Sequence, residues 1–353
     1  MADTSTPPTM KAWQSHGVTT TLEASLTFNT TLPTPTTSAL GPNQLLIRVL
    51  SAGLNPADYK FAELGAVSKL STFRGGPYIP GMDFAGRIVG AHASVTDPAY
   101  RAGALVFGCH PPQPKPRYGA LCEYTVASTE TCVPLPEGVG VDAAAAAGCA
   151  GLSALTTLQG LGPGQSVLVL GGSGGVGTFT VQVAKRGLQA AHVTATCSGA
   201  NADLVRGLGA DEVLDYRTVD VVEELKAGGR MYDLVVDNVG DPRQRVYEEA
   251  ASFLKKGGVY MQIGADTSFA GLKKVAARAV CPSFLGGGKR KFKFVTASVK
   301  LDYLKSLAEW MREGKLKPVI DRVYELEDVP EALGKLRQGR TRGKIVVRVS
   351  KET

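Results

Sequence analysis

Residues 166–185 read SVLVLGGSGGVGTFTVQVAK. An apolar run, Val167 to Leu170, meets a glycine cluster, and a helix-forming stretch follows from Phe179 to Lys185. Within it Gly172-Ser173-Gly174-Gly175-Val176-Gly177 satisfies G-x-G-x-x-G. That pattern is short and common, and its place between a strand and a helix is what gives it meaning. The first glycine permits a tight turn, the second lets the backbone approach phosphates, and the third lets the helix pack on the strand. First-turn amides and the positive end of the helix dipole then face an anion. The stretch predicts a pyrophosphate cradle for a dinucleotide.

The surroundings agree with a βα unit. Downstream, HVTATCS, ADLVRGLGA, EVLDY, LVVDNVG, EEAASFLKKGG and VYMQIGA alternate strand-like with helix-like segments. Such alternation argues for a parallel sheet. Upstream, QLLIRVLSAGLN (44–55), FAGRIVGA (84–91) and ALCEYTVAS (120–128) are short β-rich runs punctuated by Gly and Pro. FNTTLPTPTTS (28–38) is too polar for a core and is expected to be a loop. An alanine-rich helical pattern occupies 141–160, and beyond about 298 come two amphipathic helices and a terminal strand, KIVVRVS.

At 353 residues and 44% hydrophobic content the chain is long enough for two cores. The net charge of +7 suits an anionic ligand, but the charges are spread rather than clustered, which argues against nucleic acid. The N-terminus lacks an apolar signal region and no apolar run approaches the ~18 residues of a membrane span. A cytoplasmic protein is therefore expected. The six cysteines form no C-x-x-C pair and read as separate buried thiols. Cys109-His110 is the one adjacent pair of metal-ligand types, and it reads as structural.

The choice of dinucleotide is made about 20 residues after the glycines, where an acid would hold the ribose 2′-hydroxyl of NAD. Residues 191–202, AHVTATCSGANA, contain no acid. A carboxylate would repel a 2′-phosphate, so its absence, with Ser198 in the turn and Tyr216-Arg217 after the next strand, favours NADPH.

With these features the chain resembles the medium-chain dehydrogenase/reductase superfamily, in its zinc-independent quinone oxidoreductase-like and enoyl reductase branch. GLNPADYK (53–60), GMDFAG (81–86), AGLSAL (150–155), GGSGGVG (171–177), VDNVG (236–240) and GRTRGKIVV (339–347) carry the resemblance in family order. It implies an α/β architecture: a GroES-like β-barrel catalytic domain (1–130 and 299–353) and a doubly wound, parallel-sheet Rossmann domain (131–298). The resemblance implies that Ser173, Gly175 and Val176 hold the pyrophosphate and Ser198 and Tyr216 the adenosine phosphate. Asn238 and Gly264 would line the cofactor channel, Ser153 would stand near the nicotinamide, and Arg342 would reach back to the cofactor. Asn201 stands where some relatives carry Lys, so one phosphate contact is expected to be missing.

Zinc-dependent relatives ligate metal through a Cys and a His-Glu at positions held here by Asn55 and Met82-Asp83. Asn and Met are poor Zn²⁺ ligands, so no metal is expected. Without a Lewis acid, the easier chemistry is hydride delivery to an electron-poor carbon, the β-carbon of an enone, enoyl thioester or 2-alkenal, or a quinone. The resulting enolate needs hydrogen-bond donors and then a proton. Asn55, Tyr59 and Lys60 are the candidate donors, with an ordinary surface lysine as the alternative for Lys60; Asp58 is expected to cap or salt-link locally. Lys289, Arg290, Lys291 and Lys293, interleaved with Phe292 and Phe294, read as a solvated edge or as a docking face for an acyl carrier protein. The expected function is an NADPH-dependent reductase of a small-molecule or acyl-thioester substrate. Two alternatives stand: a trans-acting enoyl reductase of a polyketide pathway, and an NADPH-binding structural protein. No membrane or nucleic-acid partner is expected, and a homodimer is consistent with the family.

Overall fold

In a computed structural model of the protein, residues 6–63, 77–113, 116–240, 245–263, 269–280, 289–296 and 298–351 are described. The chain divides into two compact units, Met1–Leu152 with Ser298–Thr353, and Ser153–Ala297.

The first unit contains β1 (Thr9–Gln14), β2 (Thr27–Pro33), β3 (Gln44–Leu54), α1 (Pro56–Lys60), β4 (Asp83–Ala91), β5 (Leu105–Cys109), β6 (Tyr124–Ser128) and β7 (Cys132–Pro134). α2 (Val141–Thr157) follows. β3 is the axis of this unit. It pairs antiparallel with β4 and β6, and the end of the chain returns to its other edge. That covering explains why the second half of β3, Val49–Leu54, is fully buried and does not alternate, with Ser51 as its one polar side chain.

Three details differ from the sequence reading. The first part of the polar stretch expected as a loop, through Pro33, forms β2, paired with β1 at the surface. Its threonines are β-branched and suit an exposed strand, and polarity there reflects exposure rather than irregularity. In the second unit EEAASFLKKGG forms a single 3₁₀ turn at Ala250–Ser252 before the next strand starts at Leu254. The boundary between units falls inside α2 rather than near residue 130. The first half of α2 is bound to the sheet: Cys149 N donates to Asp83 Oδ1 at 2.6 Å, and a Cβ on Gly53 of β3 would lie 2.3 Å from the Ala145 carbonyl oxygen.

The second unit holds β8 (Ser166–Leu170), α3 (Gly175–Gln182), β9 (His192–Cys197), α4 (Ala202–Leu208), β10 (Glu212–Asp215), α5 (Val221–Ala227), β11 (Tyr232–Asp237), β12 (Leu254–Gln262), α6 (Phe269–Val280) and β13 (Lys291–Phe294). Its six strands run in the order β10-β9-β8-β11-β12-β13, all neighbours parallel. This is the doubly wound Rossmann order, and the direction of winding reverses between β8 and β11. Back in the first unit, α7 (Leu301–Arg312), β14 (Ile320–Glu325), α8 (Val329–Arg337) and β15 (Lys344–Arg348) complete the chain. β15 pairs antiparallel with β3, setting Ile345 against Leu54 and Val347 against Ala52.

α8 is fastened to the sheet's core by one arginine. Arg337 donates to Glu23 Oε1 and Oε2 at 2.7 Å each and to Glu63 Oε2 at 3.1 Å, and its guanidinium lies 4.2 Å from the Tyr59 ring centroid. Burial is the largest single influence on the Glu23 carboxyl and pushes its pKa up, but the Arg337 hydrogen bonds and charge, with backbone and Thr21 hydrogen bonds, together lower it overall. Arg337→Met should therefore cost about 2–3 kcal/mol at neutral pH, read from urea unfolding. Because Glu23 is depressed in the folded state, its share is present above the ordinary carboxylate pKa. The gap between variant and parent should narrow as pH falls through that lowered value.

Candidate active site

The glycine turn joins β8 to α3 at the reversal point of the sheet, where open α/β sheets bind ligands. Thr196 on β9 fastens it twice: Gly172 N donates to its carbonyl at 2.8 Å and Gly171 N to its Oγ1 at 3.0 Å. Two glycines are required by close approach. A Cβ on Gly177 would lie 2.0 Å from the Gly171 carbonyl oxygen, and one on Gly172 would lie 2.9 Å from Ala195 Cβ. At Gly174 the nearest atom to such a Cβ is 3.5 Å away, which leaves that face of the turn open. Gly175 and Val176 supply first-turn amides, which have no intrahelical acceptors.

Around this turn the fold gathers Ser173, Ser198 and Asn201. Asn201 Nδ2 donates to Ser173 Oγ and to Ser198 Oγ, both at 3.2 Å. The residue read as a lost lysine is thus the link between two hydroxyls named from sequence. Tyr216 is exposed just beyond β10, its amide donating to Cys197 O at 3.3 Å. Sequence reading missed a carboxylate here. Asp215 of β10 stands in register with Cys197, and its Oδ2 would lie 2.5 Å from a Cβ on Gly199. No window on β9 alone reveals it, because it comes from the neighbouring strand.

Asn238 follows β11 on the other side of the reversal point. Its Nδ2 donates to Leu170 O at 3.1 Å, while its buried Oδ1 has no hydrogen-bond partner. A buried acceptor left open beside a glycine cradle fits a ligand carrying hydroxyl or amide donors, as a nicotinamide dinucleotide does. Ser153 is buried in α2. Arg342 is exposed in the turn before β15 of the first unit. Gly264 lies outside the described residues.

In the first unit the motif around α1 builds a buried polar cluster. Asn55 Oδ1 accepts from Lys344 Nζ at 2.5 Å, and Asn55 Nδ2 donates to Asp83 Oδ2 at 2.9 Å and to Gly53 O at 3.3 Å. Lys344 Nζ also meets Asp83 Oδ2 at 3.2 Å, with the two side chains 3% and 0% exposed. Asp58 caps α1 by accepting from Asn55 N at 2.7 Å, as expected of it. Burial holds its pKa up at about 7; the Asn55 amide, Lys344 and the Met82 amide pull it down, while Asp83 adds to the rise.

The three donors named from sequence share α1 and its cap without converging on one point. The Asn55 amide is committed to Asp83 and Lys344. The Tyr59 ring is buried in the core against Arg337, and burial raises its pKa. Lys60 is half-buried at the helix end. Lys344 and Asp83 were the residues missed as partners. The available signal was a lysine heading an apolar strand, KIVVR, in which the next three residues are buried.

His110 is buried, with Nε2 3.0 Å from Thr125 Oγ1, and burial lowers its pKa to about 4, so the ring is neutral. Among the described residues no group of three His, Cys, Asp or Glu is arranged to hold a metal. On β13, Lys291 and Lys293 are exposed while Phe292 packs 5.0 Å from the Tyr247 ring. Arg290 is spent inward, donating to Leu254 O at 2.7 Å and Ala251 O at 2.9 Å. Of the basic segment, residues 281–288 lie outside the described residues.

Comparison with known proteins matches residues 41–137 to an alcohol dehydrogenase GroES-like domain and residues 208–347 to a family described as zinc-binding dehydrogenase. The chain is 41% identical to a trans-enoyl reductase, pgmF, of Aspergillus terreus, with 97% of each chain covered. The chain belongs to the medium-chain dehydrogenase/reductase superfamily. It is 31% identical to the mitochondrial NAD(P)H oxidoreductase RTN4IP1 of Homo sapiens over 87% of this chain and 82% of that one. Among solved structures, the quinone oxidoreductase of Coxiella burnetii superposes with a TM-score of 0.79 at 27% identity, covering 97% and 99% of the two chains. This medium-chain oxidoreductase therefore has the GroES-like and Rossmann parts that its sequence predicted.

Replacing Gly177 with Ala should abolish nicotinamide dinucleotide binding, measured by calorimetry, because the added carbon collides with backbone that cannot withdraw. Binding at parental affinity would show that the turn is not the cradle.

Proposed function

We propose that the protein reduces the activated C=C bond of an enoyl thioester with NADPH, acting in trans on a carrier-bound substrate. The observation that carries this reading is the 41% identity, over nearly the whole length of both chains, to a protein named as a trans-enoyl reductase. It is an oxidoreductase of the enoyl and quinone reductase class; the thioester, the carrier and the phosphate-bearing cofactor are the finer parts proposed.

For the cofactor, Gly172 to Gly177 would cradle the pyrophosphate, with Ser173, Ser198 and Asn201 offering hydroxyl and amide groups to the adenosine end. Tyr216 and Arg217 lie exposed beside them. Asp215 works against a 2′-phosphate, although its Oδ1 already accepts from Arg217 N at 3.0 Å. The open Asn238 Oδ1 would take a donor of the cofactor, and Ser153, Gly264 and Arg342 remain proposed contacts. When bound, the dinucleotide supplies hydride; the chain's part is to hold it, to orient the acceptor and to stabilise the enolate. Lys60 is the proposed donor to the enolate oxygen. Asn55 supports it from the cap of α1, and Tyr59 shapes that helix from within the core.

For the partner, Lys289, Lys291 and Lys293 leave a positively charged edge on β13, complementary to an acidic acyl carrier protein. No helix among the described residues is long and apolar enough to cross a membrane; a cytoplasmic setting is a further part of the proposal. A homodimer is part of the same proposal. The competing reading is an NADPH-binding protein with little activity, and a quinone is the competing acceptor.

A panel of enoyl thioesters, 2-alkenals and quinones, each with NADPH and NADH, tests the function. The expected result is turnover fastest with enoyl thioesters and NADPH preferred; tight NADPH binding with no turnover of any acceptor refutes it. Lys289→Glu with Lys291→Glu should raise KM for a carrier-bound enoyl roughly tenfold at low salt and leave a small enone unchanged. Equal effects on both substrates remove the carrier.

A further inference from the structure

Asn201 occupies the N-cap of α4, where an asparagine side chain ordinarily accepts a hydrogen bond from an amide of the first helical turn. Here it makes no such bond. Its backbone closes the turn before it, with Asn201 N donating to Ser198 O at 2.8 Å. Its side-chain amide is directed at two hydroxyls, Ser173 Oγ in the glycine turn and Ser198 Oγ just after β9. The polar group of the cap thus serves neither its own helix nor the turn that precedes it.

An amide NH₂ carries two hydrogens, and Asn201 Nδ2 spends one on each serine at 3.2 Å. Each serine oxygen is thereby an acceptor, and its own proton is still to be given. Among the described residues neither hydroxyl donates to a protein group. Ser198 is only 8% exposed, so little of it reaches water. An unspent donor on a nearly buried hydroxyl calls for an acceptor.

The place of the two hydroxyls says which acceptor fits. In a doubly wound sheet the pyrophosphate of a dinucleotide lies on the turn after the first strand, and the adenosine 2′ position lies beyond the second. β8 and β9 are those strands, with Ser173 in the first turn and Ser198 in the second. A ribose 2′-hydroxyl donates or accepts and is satisfied by a serine turned either way; a phosphate only accepts. The Asp215 carboxylate beside Gly199 opposes an anion here, so binding one demands that both hydroxyls donate.

We infer that Asn201 is a positioning residue for cofactor choice: by donating to both serines it fixes their hydroxyls as donors, and so selects a dinucleotide that carries a 2′-phosphate. This rests on the proposed NADPH preference and draws only on residues of the second unit. With Nδ2 spent, the Asn201 side chain has only its Oδ1 acceptor left, which gives an anion nothing.

Calorimetric titration of the full chain with NADPH and with NADH tests the role. Asn201→Ala removes both donors and leaves the backbone bond that closes the turn. Asn201→Asp keeps the shape but only accepts, so the serine protons turn inward to it and its charge repels a phosphate. NADPH affinity should fall about 10-fold in Asn201→Ala and about 100-fold in Asn201→Asp, with NADH affinity within about threefold of the parent and unfolding midpoints unchanged. In a Ser173→Ala, Ser198→Ala background, adding Asn201→Ala should leave the NADPH-to-NADH affinity ratio where it was, because no hydroxyl remains to orient. A parental ratio in both Asn201 variants, whether or not the unfolding midpoint drops, overturns the positioning role and leaves the NADPH reading standing. So does a fall in the ratio that is as large without the serines as with them. A parent that binds NADH as tightly as NADPH overturns both.

Discussion

A lysine ammonium inside the first unit organises what surrounds it. Lys344 is almost wholly buried, and an unpaired charge there would cost several kcal/mol. Asp83 and Asn55 answer it, and each comes from a different strand or strand end. The cluster exists because β15 lies antiparallel against β3, bringing residue 344 beside residue 55. The same arrangement uses up the positions that hold metal in zinc-dependent relatives. It also fixes the orientation of the Asn55 amide and leaves Asp58 as the carboxyl with the weakest claim on a positive partner.

The second unit is arranged differently, through backbone rather than charge. Thr196 pins the glycine turn from the adjacent strand, and Gly177 lets the helix close on it. The result is a rigid rim of amides, hydroxyls and one open amide oxygen at the reversal of the sheet, suited to a long, polar, anionic ligand.

Legibility followed distance along the chain. The glycine turn was legible because strand, turn and helix are contiguous and Gly172 and Gly177 answer local steric demands. Asp215 was not, because it reaches the turn from the next strand. The commitment of Tyr59 to Arg337 was also hidden: the arginine lies 278 positions away, and an aromatic next to a lysine looks alike whether it faces a ligand or a core. The β2 strand was hidden for another reason. Polarity reports exposure, and an exposed strand and a loop share it.

By itself, the sequence determined the two-part architecture and the strand, glycine turn and helix at the reversal of the sheet, and it sets Asn and Met where zinc-dependent relatives carry Cys and His, since each depends on residue types at short spacing. Tertiary structure alone decided which polar residues meet. It turned Lys344 and Asp83 into a buried pair, made Asn201 the bridge between two serines, and left one buried oxygen of Asp58 without a hydrogen-bond partner. The buried pair depends on strands joined across 261 residues and the serine bridge on a contact across 28, and burial changes the chemistry of a side chain only after such contacts have formed.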